Sequence, residues 1–423
     1  HSDELDIYAY KYERIQQCVT GVKGRRGRVG IPLALVFYDQ LPLWAGFFET
    51  CGFEVVLSEK SSRQLYFKGQ HTVASDTVCY PAKLTHGHIE SLLDAGVDFI
   101  FYPCESYNLD EHDSTNHYNC PVVAYYPELL KANNERLTDD NFVMPYLDPN
   151  DEKTTVRALR KALAKYKLPK RLIKRGLREG FARLEQYYQD VRDKGNEITA
   201  KAERLEIPAI ILAGRPYHID PEINHGIGKL LTSLNIAVLS EDSVFFKGKE
   251  VLVNVLNQWT YHARLYRAAE YAGEHDNVNL VQLVSFGCGI DAITTDEVRS
   301  ILEKRGKLYT QIKIDEINNL GVVKIRLRSM LAAIEEQLRH HRRDPQKGRL
   351  GFRASAQRFP RRHRRGLKAR PQRYLLPRPL RDGAVYRRLK KRQIRCRAYR
   401  RHDHPIGRRL PRVQLHSAHA QGA

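Results

Sequence analysis

Three predominantly apolar runs without strict polar–apolar alternation, VDFIFYP (97–103), IPAIILAG (207–214) and VNLVQLVSF (278–286), limit the folds open to this chain. A strand with one wet face alternates polar and apolar side chains. A strand that is apolar throughout is covered on both faces, the condition of a parallel sheet flanked by helices.

The rest of the pattern fits that condition. Residues 28–147 alternate between strand and helix: RVGI, a helix opening at Pro32 and stopping at Gly52, FEVVLS, a helix over 81–96, the strand 97–103, and PVVAYYP (121–127) as a further strand. Residues 148–206 are charged and helix-favouring, interrupted by Pro169, and read as an amphipathic pair packed on a sheet or bridging two lobes. Residues 207–338 return to the strand–helix alternation, with IPAIILAG, a helix capped by Asp220 with Pro221 in its first turn, IAVLS, a helix over 252–272, the strand 278–286, TTDEVRSILEKRG, LYTQIKID and a last helix over 320–338. The expected fold is α/β, two Rossmann-like doubly wound lobes with mostly parallel sheets. Residues 1–27 form a lead segment that starts at His1, so the chain is expected to be a fragment of something longer.

Charge divides the chain. Residues 339–423 hold 28 lysines and arginines against three aspartates and no glutamate, a surplus of 25, which leaves the preceding residues near −4 of the total of +21. This Arg-rich tail keeps neither helical nor strand period. A phosphate-binding arm and a poorly ordered basic extension are both compatible with it. An out-of-frame translation of a GC-rich gene fits the abrupt change best, so nucleic acid is not an expected partner. No run is apolar enough to span a membrane, and irregularly spaced cysteines without a CxxC pair point to a reducing, cytoplasmic setting.

Four cysteines fall near strand or helix ends. Cys104 follows the strand 97–103, Cys288 follows the strand 278–286 between two glycines, Cys79 precedes the helix at Pro81, and Cys120 leads into PVVAYYP. Ligands of open parallel sheets bind at the carboxyl ends of strands. Helix N-termini lower thiol pKa, and thiolates bind soft iron. Against this, a free cysteine is most often a small buried hydrophobe. Gaps of 25, 16 and 168 residues match no compact ligand motif. Cys18 and Cys51 read as core, and Cys396 in the tail has no assigned role.

The segments RVGIPLALVFYDQLPLWAGFFETCGFEVVLS, SDTVCYPAKLTHGHIE, GVDFIFYPC, YNCPVVAYYPELL, ILAGRPYHIDPEINHGI and SFGCGIDAITTDEVRSILEKRGKLYTQIKIDEINNLGVVKIRLRSMLAAIEE resemble the acyl-CoA dehydratase activase-related proteins of the 2-hydroxyglutaryl-CoA dehydratase and benzoyl-CoA reductase superfamily. The resemblance spans about residues 25–338. It implies an iron–sulfur cluster (4Fe-4S or larger) held by Cys79, Cys104, Cys120 and Cys288. It also implies an ATP-hydrolysing activator domain or subunit as electron donor, and chemistry on an acyl-CoA. Family members carry actin-like activator domains upstream, and no GxxxxGK[ST] phosphate loop occurs here, so ATP hydrolysis by this chain alone is not expected.

In AGRPYHIDPEINHG (213–226), Arg215 could hold a carboxylate or phosphate and His218 could move a proton, with Asp220 and His225 beside them; a turn followed by a helix cap explains the same residues. His86 and His88 read as packed or solvent-facing. Thr294 or Thr295 reads as a helix cap, with Asp296 and Glu297 in the first turn. Two functions compete: a cluster-bearing electron-transfer component, and a catalytically inactive scaffold of a dehydratase–activator complex. A zinc site is weaker, since short ligand spacings are missing.

Overall fold

The computed structural model describes residues 3–112, 114–285, 287–314 and 320–343. All of the Arg-rich tail after residue 343, Cys396 included, lies outside the described residues, and residues 339–343 continue the last helix. The chain begins with α1 (Ile7–Gln16), followed by β1 (Arg28–Ile31), α2 (Phe37–Thr50), β2 (Glu54–Leu57), α3 (Arg63–Gly69), α4 (Tyr80–Asp94) and β3 (Phe99–Phe101). Then come α5 (Pro121–Asn133), β4 (Phe142–Val143), α6 (Glu152–Ala162) and α7 (Lys170–Arg204). The remainder holds β5 (Ala209–Ala213), α8 (Pro221–Asn224), α9 (Ile227–Ser233), β6 (Ala237–Ser240), α10 (Thr260–Glu274), β7 (Val278–Val284), α11 (Gly289–Lys304), β8 (Thr310–Lys313) and α12 (Leu320–Arg343).

Two four-stranded sheets result, ordered β2-β1-β3-β4 and β6-β5-β7-β8, with every pairing parallel. Val29 sits between Val55 and Phe99 in the first sheet, and Ile210 between Val238 and Asn279 in the second. The apolar runs become central strands covered on both faces, and Phe99, Ile100, Phe101, Ile210, Ile211 and Leu212 are fully buried. Strand order reverses between β1 and β3 and again between β5 and β7. Open parallel sheets commonly bind their ligands at such switch points, at the carboxyl ends of the strands. Among the described residues no helix is long and apolar enough to cross a membrane.

α7 has 35 residues, so it runs about 52 Å at 1.5 Å per residue. It lies on both lobes. A Cβ on Gly180 would stand 2.2 Å from the Leu43 carbonyl oxygen of α2, and one on Gly195 would stand 2.7 Å from Ser243 Cβ beyond β6. The lead segment also docks. Asp6 caps α1 and bridges Val238 at the edge of the second sheet, while the Tyr8 hydroxyl donates to the Leu212 carbonyl at 2.7 Å and Lys11 pairs with Asp242 at 2.6 Å.

Four local expectations are corrected. Residues 121–127 are helix, not strand: Cys120 is extended (ψ 152°), Pro121 opens the first turn, and the buried positions Val123, Ala124, Tyr126, Pro127 and Leu130 follow a helical stripe. The helix expected over 220–235 is two, because His225 and Gly226 both adopt left-handed φ (53° and 74°). α10 begins only at Thr260. α11 begins at Gly289, so Cys288 is its cap and Thr294 lies inside, its hydroxyl donating to the Ile290 carbonyl at 3.0 Å.

Candidate functional site

Cys79, Cys120 and Cys288 each occupy the N-cap of a helix: α4, α5 and α11. The first two helices belong to the first lobe and the third follows β7 of the second. Pro81 and Pro121 stand in the first turns after Cys79 and Cys120, where a fixed φ favours helix entry. Gly287 brings the lobes together here. A Cβ on it would lie 2.8 Å from the Thr77 carbonyl oxygen and 3.1 Å from the Cys79 nitrogen, so only glycine lets the loop after β7 rest on the chain leading into α4.

The three thiols share one electrostatic neighbourhood. Burial pushes the Cys79 thiol up to about 12; the Ala82 N–H and Arg215 oppose this, and Cys120 and Cys288 add to it. Cys120 is raised by burial, against the Val123 N–H that reaches its sulfur at 3.4 Å and against Arg215, with Cys288 adding to the rise. Tyr217 stands in the field of all three sulfurs and of Arg215.

Arg215 is the charged centre of the group. It follows β5 by two residues, is 5% exposed, and donates through Nη2 to Cys288 Sγ at 3.2 Å. The same nitrogen reaches His262 Nε2 at 3.4 Å and pairs with Asp291. Asp291, in the first turn of α11, accepts from the Ser285 N–H at 3.0 Å. Burial, the largest single effect, opposes the guanidinium's charge, but Asp291, Tyr217 and Cys288 together outweigh it and raise Arg215 well above its ordinary value. An Arg–carboxylate pair thus fixes a positive group against one thiol.

His218 lies beside this group but is committed to a turn. Its Nδ1 accepts from the Arg215 backbone N–H at 2.9 Å, which places the imidazole proton on Nε2. Burial and then Arg215 hold it well below its usual range, so the ring is neutral. Asp220 caps α8 through the Glu222 N–H at 2.9 Å and also accepts from the Tyr38 and Ser61 hydroxyls of the other lobe. His225 is the first of the two left-handed residues between α8 and α9.

Cys104 is not among the charges that act on Cys79, Cys120 and Tyr217, although it and Cys120 both act on Tyr102. Cys104 is 1% exposed on the extension of β3, paired with Tyr146 beside β4, and its thiol is pushed up to about 12 by burial and by Glu128. Cys51 and Cys18 are core residues, raised by burial to about 12 and about 11. His86 and His88 are packed. The first bonds Thr72 at 2.7 Å and Tyr126 at 3.0 Å, the second Ser58 at 2.7 Å and Ser61 at 3.0 Å, and burial lowers them to about 4 and about 3.

Tyr217, His262 and Asp291 were not singled out from the sequence. Asp291, three residues after Cys288, had the only local signal, as an acid in a first helical turn. His262 is 3% exposed, and its Nδ1 is buried without a hydrogen-bonding partner.

Among the described residues no three of His, Cys, Asp and Glu stand close enough to hold a single metal ion. An iron–sulfur cluster places its own irons and sulfides between the thiolates, so its ligands lie further apart than those of one ion. Three soft thiols at helix N-termini with a fixed cation beside them suit such an anionic group. A hard, oxygen-seeking metal does not fit this donor set.

The family model described as the CoA enzyme activase uncharacterised domain matches residues 28–244. That span takes in the first lobe, α7 and the start of the second sheet, with Cys79, Cys104, Cys120 and Arg215 inside it and Cys288 beyond it. A comparison with curated proteins returned no match.

Proposed function

The chain belongs to the CoA enzyme activase uncharacterised domain family, and from that premise we propose that Cys79, Cys120 and Cys288 hold an iron–sulfur cluster through which the protein accepts and passes electrons. What supports this reading is the electrostatic neighbourhood shared by three N-cap thiols, from both lobes, and the buried Arg215–Asp291 pair. A bound cluster supplies one-electron chemistry at low potential. The protein's residues do the rest. The N–H groups at the starts of α4, α5 and α11 stabilise thiolate, the Arg215 donor at Cys288 Sγ offsets negative charge, and Asp291 holds that donor in place.

Cys104 is assigned to the core of the first lobe, which reduces the ligand set from four to three. The electron comes from an ATP-hydrolysing activator domain or subunit, and the product side is the reduction or dehydration of an acyl-CoA. Cys79→Ser, Cys120→Ser and Cys288→Ser should each lose most of the iron and sulfide that the parent protein takes up in anaerobic reconstitution. Cys104→Ser should retain them, with the parent's electron paramagnetic resonance signal. A colourless parent protein would favour an inactive scaffold. Loss of iron in Cys104→Ser alone would defeat the three-ligand assignment.

A further inference from the structure

At the opposite end of the first sheet, before β1 and β2 begin, lies an open groove of about 790 Å³. The loop carrying Thr20, Lys23, Arg25 and Arg26 forms one wall, and Leu172 and Arg183 of α7 form another. Four cations therefore line it, in a body whose overall charge is mildly acidic. The groove's single carboxylate, Glu49, is already engaged by Arg183 Nη1 at 2.5 Å and by the Thr20 N–H at 2.8 Å. Lys23, Arg25 and Arg26 meet no carboxylate among the described residues; Arg26 reaches only the Tyr166 carbonyl, at 3.4 Å.

The loop is also held in place. A Cβ on Gly24 would lie 2.3 Å from the Glu54 nitrogen and 2.6 Å from the Gly52 carbonyl oxygen, so the chain is pressed against the turn into β2. In that posture the backbone N–H groups of Lys23, Gly24 and Arg25 find no protein acceptor among the described residues. Val22, 64% exposed, and Leu172 supply an apolar flank.

We infer that this groove binds a phosphate-bearing ligand of about mononucleotide size. Successive free N–H groups with flanking Lys and Arg are the recurrent chemistry of phosphate recognition. The volume falls within the range of small-molecule sites, roughly 300–1,000 Å³. The inference does not depend on the cluster, which the length of the sheet separates from the groove.

The test is run on the full chain, whose basic tail also attracts anions, and so must be read residue by residue. Lysine acylation is followed by mass spectrometry with pyrophosphate, with ADP or with a poly-glutamate peptide present. Pyrophosphate and ADP should each slow modification of Lys23 about fivefold or more while leaving exposed Lys60 unchanged; stronger protection by ADP would place the base on Val22 and Leu172. The K23A/R25A double variant should bind ADP about tenfold more weakly, or less tightly still, with an unchanged thermal midpoint, since both side chains are exposed. The inference is overturned if Lys23 is protected no better than Lys347 of the tail, if poly-glutamate protects it equally, or if the double variant binds ADP as the parent does.

Discussion

At Cys79 and Cys120 the helix N-terminus and the protein interior act in opposite directions. The N–H groups of the first turn favour thiolate, yet burial is the larger effect and both thiols are raised. The proposed iron–sulfur cluster would resolve the conflict, because its irons would take the thiolate and release the proton. Glu105 has no such resolution. It is 1% exposed, neither carboxylate oxygen has a hydrogen-bonding partner, and burial pushes it up to about 8, with Asp148 and Asp39 adding to the rise. Between its ordinary 4.5 and about 8 the native state keeps a proton that the unfolded chain has lost, so stability falls as pH rises through that window. Glu105→Gln should remove this loss. The variant should be more stable than the parent at pH 8.5 by roughly 1–4 kcal/mol and differ little at pH 5. Urea midpoints at the two pH values check this, and parallel pH dependence in the two proteins would refute it.

Among the elements, α11 begins at Gly289 and not at Thr294, where the sequence pattern put it; the central strands and the start of α4 after Cys79 were legible, because apolar runs and a Pro in the first turn act locally. α5 was not. VVAYYP is rich in strand-forming residues, and only the packing of Val123, Tyr126 and Leu130 on one side makes it a helix. Likewise β4 is two residues long and leaves no periodic trace, and the partners of Arg215 come from α10 and α11, which no local pattern connects to it. α7 gives a test in which helix propensity and packing predict opposite signs. Propensity alone would have Gly180→Ala stabilise the protein by about 1 kcal/mol. Contact with the Leu43 carbonyl should instead force α7 away from α2 and cost roughly 1–3 kcal/mol. A lower urea midpoint confirms the close crossing, and a higher one removes α7 as a tightly packed strut.

Across the whole molecule, the two lobes are joined by buried charge as well as by α7. Arg264 of α10, 1% exposed, donates to Asp39 of α2 at 3.3 Å and to Glu111 at 2.7 Å, with the Tyr188, Phe245 and Tyr261 rings around it. Asp220 is tied to Tyr38 and Ser61 in the same way. These contacts hold the lobe carrying Cys79 and Cys120 against the one carrying Cys288, so the thiol site depends on lobe docking as much as on either lobe's fold. Arg264→Met keeps the apolar bulk but leaves the Asp39 carboxylate buried and unpaired, at a cost of about 3–5 kcal/mol, part of which Asp39→Asn should return in the same background. The two tryptophans make the event visible. Trp44 is buried in the first-lobe core, whereas Trp259 precedes α10 and pairs with Tyr118 across the lobes. With each tryptophan in turn replaced by Phe, the parent protein should lose both signals at one urea concentration. Arg264→Met should lose the Trp259 signal first, because the lobes part before the first core melts. Coincident transitions in that variant would show that the buried charges stabilise the fold without governing how the lobes meet.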